Sequence, residues 1–350
     1  MERKKIAVIF GGCSTEYEVS LQSAYSVLKN MDGKKFEVIP IGITQSGEWF
    51  HYTGNYEKIP DGKWCDDNEK LHAIVFSQSR ALKVFLEFTG ENYIERPIDL
   101  VFPILHGKNG EDGTVQGLFE LAGIPIIGCN TLSSALCMDK DRAHRLVKSA
   151  GIDVPKSVTF NIFDKERALK EIKNSLKYPI FIKPVRSGSS FGISKIFKDE
   201  EFESAVELAF EHDTEVIAEE AVNGFEVGCA VLGNENHIVG RVDEIELSSE
   251  FFDYTEKYTL KSSKIFMPAR IDADTEKAVQ KVALKIYRTL GCCGFARVDM
   301  FLTNDGKIVF NEVNTIPGLT VHSRYPNMMK GIGLSFAEML DKLIGLYLNE

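Results

Sequence analysis

The sequence predicts an α/β protein with a parallel sheet in its amino-terminal part, and three observations predict it. Short apolar runs at residues 6–10, 36–43, 98–104 and 124–128 are separated by helical or loop stretches, the pattern of parallel strands with helices on their faces. Further apolar strands and amphipathic helices alternate through the second half of the chain. With 350 residues, 44% hydrophobic and 26% charged, the chain has room for two or three packed domains of roughly 100 to 150 residues each.

Taken in order, the first strand follows a few basic residues. Its five apolar positions end at Gly11-Gly12, too short for a secretory segment or a membrane span, so a cytoplasmic protein without a membrane partner is expected. An α/β segment runs over 1–128. A central segment over 129–216 opens with a charged helix at 139–146 and continues with a strand at 178–183 and a helix at 200–210. The last segment, 217–350, carries strands at 228–232, 238–244, 295–302 and 308–313, a helix at 275–290 and a closing helix at 336–348. The net charge of −10 argues against non-specific nucleic-acid binding, which needs clustered cations. Seven cysteines without a Cys-x-x-Cys pair support neither a disulfide framework nor a zinc site, and read as reduced, mostly buried residues.

The densest chemistry lies in residues 293–301 and 307–318. Val298, Met300 and Phe301 alternate around Asp299, and Val309, Phe310 and Val313 surround Glu312 and Asn314. An uncompensated carboxylate is costly in such surroundings. A hard cation offsets it: Mg2+ takes oxygen ligands and completes its shell with waters and phosphates, so these three side chains predict a bound nucleoside triphosphate, with Arg297 adding positive charge beside the metal. The alternatives are solvated edge strands, or a buried ion pair of Arg297 with Asp299 or Glu312.

Two further stretches carry nucleotide signals. In residues 180–193 an apolar strand delivers Lys183 into a Gly/Ser-rich loop whose backbone N–H groups and hydroxyls can meet phosphate oxygens. No G-x-x-x-x-G-K-[ST] or G-x-G-x-x-G run exists. A plain hairpin explains the small residues but not the lysine. In residues 216–226 a strand running into a polar hinge can present Glu219 and the Val222 backbone to an adenine edge and Glu226 to ribose, or these carboxylates are simply solvated.

Together these residues resemble the ATP-grasp superfamily, and within it the D-alanine:D-alanine ligase family, over nearly the whole chain. The signatures stand as Gly11-Gly12-Cys13-Ser14-Thr15-Glu16-Tyr17-Glu18-Val19-Ser20, as Leu105-His106-Gly107 through Gln116-Gly117, and as residues 311–317. The runs SGSSFG, EVGCAVLGN and SRYP are most similar to the vancomycin-resistance ligases, among them the D-alanine:D-serine ligases of the G type.

The resemblance implies a three-domain architecture with the nucleotide between the central and carboxy-terminal domains, and a cytoplasmic homodimer built through the amino-terminal domain. It implies that Lys140, Lys183 and Ser190 bind ATP phosphates, that Glu219, Val222 and Glu226 meet adenine and ribose, and that Asp299, Glu312 and Asn314 hold two Mg2+ ions, with Mn2+ as a substitute. Judged locally, Lys140 reads instead as a helix-surface charge. The implied reaction passes the γ-phosphoryl group to a first D-alanine, whose acyl phosphate is attacked by the amine of D-serine or of a second D-alanine. Arg297 and the Gly318 N–H would offset the oxyanion charge.

Within that scheme Glu16 accepts the first substrate's ammonium, with Val19 and His106 alongside. His106 reads equally well as a buried histidine bonded to backbone. In the family a loop comparable to residues 251–259 closes over the site, which implies that Tyr258 bonds with Glu16 and Ser189, and that Lys257 meets phosphate and the second carboxylate. No histidine lies between His237 and His322, whereas lactate-forming relatives carry one in this loop. Ser323 matches the second carboxylate's position. Arg324 stands where D-alanyl-D-alanine enzymes carry an apolar residue, and makes that pocket polar or pairs with a surface acid. A catalytically silent nucleotide sensor is the alternative from another class.

Overall fold

The computed structural model describes residues 3–188, 191–247 and 263–348. Strand β1 (Lys4–Gly11) is buried from Ile6 onward, as a central parallel strand must be. It passes through Gly11, whose φ of +88° and close approach to the Ile43 carbonyl leave no space for a side chain, into α1 (Tyr17–Asn30). β2 (Phe36–Ile43) returns parallel to β1. β3 (Trp49–Tyr52), β4 (Leu71–Phe76), β5 (Val84–Thr89) and β6 (Asn92–Pro97) then extend the sheet as an antiparallel meander. β7 (Leu100–Ile104) pairs in parallel with the far side of β1, giving the order β6-β5-β4-β3-β2-β1-β7.

The amino-terminal sheet is therefore parallel only at β2-β1-β7, and mixed overall. The expected strand at 124–128 is reduced to one bridge between Val101 and Ile126. For β2-β3, β4-β5 and β5-β6 the cause is physical, since short connections such as that at Gly90 join them and parallel pairing needs long crossovers; β3 and β4 are joined by a longer segment, 53–70.

α2 (Thr114–Ala122), α3 (Thr131–Met138) and α4 (Lys140–Ser149) lead into β8 (Ser157–Asn161), α5 (Lys165–Ser175), β9 (Ile180–Pro184), β10 (Ser194–Ile196), α6 (Phe202–Phe210) and β11 (Glu215–Glu220). Those strands form a four-stranded antiparallel sheet, β10-β9-β11-β8. The last sheet, β14-β13-β12-β15-β16, is also antiparallel. Its strands are β12 (Gly224–Leu232), β13 (Ile238–Leu247), β14 (Ser263–Phe266), β15 (Phe295–Thr303) and β16 (Ile308–Asn314). α7 (Ala273–Thr289) covers it, and α8 (Arg324–Lys330) and α9 (Phe336–Leu348) close the described chain. Among the described residues no helix is long and apolar enough to cross a membrane.

Packing between the units brings their polar ends together. Val8, Phe10 and Phe102 of the first sheet share a core with Phe295, Tyr325, Leu340 and Ile344; α8 packs on β12 and β13, and α9 meets both α8 and α1. Cys129 just ahead of α3, Cys137 of α3, and Ala143 and Val147 of α4 pack instead with Val298, Met300 and Phe310. The carboxyl ends of β1 and β7, the place where open α/β sheets take ligands, thereby face the end of β16.

Candidate active site

A single pocket collects side chains from the first sheet, from the start of α4 and from β15, β16 and α8. Of the residues expected at the site, Glu16, Val19, His106, Lys140, Arg297, Glu312, Asn314, Gly318, Ser323 and Arg324 line it. Lys183, Glu219, Val222, Glu226 and Asp299 do not line it. Ser189, Ser190, Lys257 and Tyr258, with the rest of the loop 251–259, lie outside the described residues.

Glu16 sits just before α1, almost fully buried at 8% exposure, while Glu18 lies in the first turn of that helix. Two glycines bracket its carboxylate. A Cβ on Gly188, from the loop after β9, would fall 2.7 Å from Oε1, and one on Gly107 would fall 3.0 Å away. The Gly/Ser loop thus reaches the end of the amino-terminal sheet, and only residues without side chains permit that approach.

Lys140 is the first residue of α4, whose cap Asp139 accepts from the Arg142 N–H at 2.9 Å. It is buried, not a surface charge: its Nζ donates to the Ser187 carbonyl at 2.6 Å and lies 4.0 Å from Glu312 Oε2. Lys183 donates to Glu219 Oε2 at 2.6 Å. Burial would push the Glu219 carboxyl up, but Lys183, His144 and Lys140 together outweigh it and hold the pKa below its ordinary value. Among the described residues Glu219 Oε1 and His144 Nδ1 are both buried without a hydrogen bond, 3.5 Å apart.

β15 and β16 put Asp299 opposite Glu312 and Arg297 opposite Asn314. Arg297 binds Asp299 through Nε at 2.8 Å and Nη2 at 2.7 Å, and the Asn314 amide donates to Asp299 Oδ2 at 2.9 Å. Asp299 is thus offset by the ion pair with Arg297, the alternative open from the sequence, and the Arg324 guanidinium stands 3.4 Å from the other oxygen. Among the described residues no three His, Cys, Asp or Glu side chains come together as a metal cage. The donors here are two carboxylates and an amide oxygen, a set that fits Mg2+ because that ion draws the rest of its shell from waters and phosphates.

Arg324 is no surface residue. Its side chain is 9% exposed and bridges three acids: Nε and Nη2 donate to Asp243 at 2.7 Å each, and Nη1 donates to Glu226 at 2.9 Å and faces Asp299. Glu226 therefore points one oxygen at Arg324. Gly228 lies between Asp243 on β13 and Asp299 on β15, and the guanidinium spans the gap that its missing side chain leaves.

His106, fully buried, spends both ring nitrogens on protein: Nδ1 meets the Ile316 carbonyl at 2.8 Å and Nε2 meets Ser23 Oγ at 3.1 Å. The reading of a buried histidine bonded to backbone is the one present. Burial keeps the ring's pKa below its ordinary value, so it is neutral near pH 7. Beside it Glu111 accepts from the N–H groups of Gly107 and Ile316, both at 2.9 Å. Its carboxyl is pushed up to about 8, first by burial and then by the Glu16 charge.

Asp243, Glu111, His144 and Ser23 were not singled out from the sequence. Asp243 shares its run with Glu244 and Glu246, and nothing local marks it out from Glu244, which pairs with Arg270. Glu111 lies inside the Gly107–Gly117 signature, which was the available signal.

The family model of the D-ala D-ala ligase N-terminus matches residues 5–129, and that of the D-ala D-ala ligase C-terminus matches residues 146–345. The chain belongs to the D-alanine–D-alanine ligase family. A crystal structure of the VanG D-Ala:D-Ser ligase from Enterococcus faecalis is similar at 69% identity and a TM-score of 0.94, covering 99% of this chain and 100% of that one. The vancomycin B-type resistance protein VanB of Enterococcus faecalis is 46% identical, covering 99% of both chains. A D-alanine–D-alanine ligase of Caldicellulosiruptor bescii is 44% identical, over 100% of this chain and 96% of its own.

Proposed function

We propose that this protein is an ATP-dependent ligase that joins D-alanine to D-serine through a D-alanyl phosphate, for modified peptidoglycan precursors that give vancomycin resistance. The observation that carries the reading is one pocket with an ammonium acceptor at one end and phosphate-compatible charge at the other. Glu16 would take the ammonium of the first D-alanine. Lys140 and Lys183 would hold phosphate oxygens, with Ser190 from the loop that follows β9. Glu219 and Val222 would meet adenine and Glu226 ribose, Glu226 sharing itself with Arg324. Asp299, Glu312 and Asn314 would hold two Mg2+ ions, or Mn2+ in their place, which when bound neutralise phosphate charge. Arg297 and the Gly318 N–H would stabilise the oxyanion as the amine attacks, while Ser189, Lys257 and Tyr258 close the site.

For the second substrate, the polar wall made by Arg324, which Asp243 holds from behind, beside Ser323 supports D-serine, as does the 69% identity to a D-Ala:D-Ser ligase. Ligation of a second D-alanine is favoured by another observation: Arg324 is locked by carboxylates, so its donors are not aimed solely at a ligand. The same proposal includes the division at 128/129 and 216/217, a homodimer formed through the amino-terminal domain, a cytoplasmic location, and no nucleic-acid or membrane partner. Product analysis with ATP and D-alanine alone, then with D-serine or D-lactate added, tests it. D-alanyl-D-serine as the main product is expected. D-alanyl-D-alanine alone, or no D-alanine-dependent ADP, rejects it.

A further inference from the structure

Ile316 to Leu319 form the turn after β16 that carries Pro317 and Gly318, and α1 and the loop after β7 grip this turn at three points. A carbonyl can only accept, so His106 Nδ1 carries the proton that meets the Ile316 oxygen at 2.8 Å. With the ring neutral, its Nε2 accepts from the Ser23 hydroxyl at 3.1 Å. Ser23 Oγ in turn accepts from the Leu319 N–H at 3.2 Å. One chain of hydrogen bonds therefore runs from the Ile316 carbonyl through His106 and Ser23 to the Leu319 amide, tying down the backbone on both sides of Pro317-Gly318. Glu111 adds the third hold by accepting from the Ile316 N–H at 2.9 Å, while its other oxygen is anchored by the Gly107 N–H. Ser23 is fully buried and His106 is 3% exposed, so no solvent competes for these bonds.

We propose that Ser23, His106 and Glu111 are positioning residues that set the direction of the Gly318 N–H for the ligation step. The inference rests on the ligase reading above and extends it to residues that touch no substrate. Gly318 has no side chain to anchor it, and a Cβ there would fall 2.8 Å from Ser323 Oγ, so its orientation is inherited from Ile316 and Leu319. An oxyanion donor acts only where it is already aimed. The holds come from α1 and the loop after β7, not from the sheet bearing β16, so the donor is aligned only when the two units are docked.

The test is steady-state kinetics on the full chain as Ser23→Ala, Glu111→Gln and the double variant, with thermal melting alongside. Each single variant is expected to lower kcat by on the order of tenfold to a hundredfold, while KM for ATP stays within about twofold and folding is kept. The double variant should lose less than the product of the two, because both act on one turn. Ser23→Ala only deletes a hydroxyl, so it decides the matter if Glu111→Gln does not fold. Unchanged kcat in folded variants of an active native enzyme overturns this inference alone. So does a joint change in kcat, KM for ATP and melting temperature, which marks general loosening. A native chain without D-alanine-dependent turnover overturns the ligase reading with it.

Discussion

Arg324, at the start of α8, closes a two-pronged ion pair on Asp243 in the middle of β13, Nε to Oδ2 and Nη2 to Oδ1 at 2.7 Å each. The aspartate is fully buried, and the Gly228 N–H also donates to it at 3.1 Å. Residue 324 therefore neutralises strand carboxylates while lining the pocket.

Replacing Arg324 with Leu should cost about 3 to 5 kcal/mol in urea unfolding, because breaking a buried pair leaves its partners uncompensated. Arg324→Lys keeps the charge but loses the fork, and should recover only part of this. In the surviving enzyme the ratio of kcat/KM for D-serine over D-alanine should fall. An unchanged ratio would clear Arg324 of any part in the choice.

Gly228→Ala should destabilise by about 1 to 3 kcal/mol, since a Cβ there runs into the Arg324 guanidinium and comes within 2.8 Å of Asp243 Oδ1. The cost should shrink in the Arg324→Leu background, which removes the collision. A double-mutant cycle of unfolding free energies checks this, and additivity would refute the steric account.

Turnover should require Mg2+, and Glu312→Gln should fold normally yet lose about a hundredfold or more in kcat, the worth of one well-placed electrostatic contact of roughly 3 to 4 kcal/mol. D-alanine-dependent phosphate release with and without chelator is the measurement. Near-native turnover by the variant would sink the assignment.

Burial and the neighbouring Glu16 charge raise the Glu111 carboxyl from its ordinary 4.5 to about 8. Between those values the folded protein holds a proton that the unfolded chain has released. This contribution to stability is thus full below about pH 4.5, falls as pH rises, by up to about 1.4 kcal/mol per pH unit, and is gone above about 8. Melting temperatures over pH 5 to 8.5 should show a steeper decline for the native protein than for Glu111→Gln. Parallel curves would exclude Glu111 as the source.

Strands with one strong apolar signal were legible. β1 appears on the apolar run at 6–10, β15 and β16 appear where apolar residues surround Asp299 and Glu312, and α9 spans the residues expected. The meander from β3 to β6 was not: β6 is exposed at all six positions, so no inward face writes a period into its residues. Of the residues the glycine-rich and carboxylate motifs single out, Glu16, Glu312 and Asn314 line one pocket, whereas Lys183, Glu219, Glu226 and Asp299 do not. What stayed hidden is pairing across long separations. His106 reads as a lone histidine until the turn at Ile316 is folded against it, and Arg324 as a lone arginine until β13 brings Asp243 to it.

The guanidinium seated over Gly228 also bears on how such a pocket changes through mutation. Removing the arginine alone strands Asp243, while Asp299 keeps Arg297, and filling position 228 first collides with the arginine still in place. Replacing Arg324 or Gly228 singly is expected to pass through a less stable protein, and joint substitution at 228, 243 and 324 would avoid both penalties. Selection acting one residue at a time therefore meets a fitness valley between a charged and an apolar pocket.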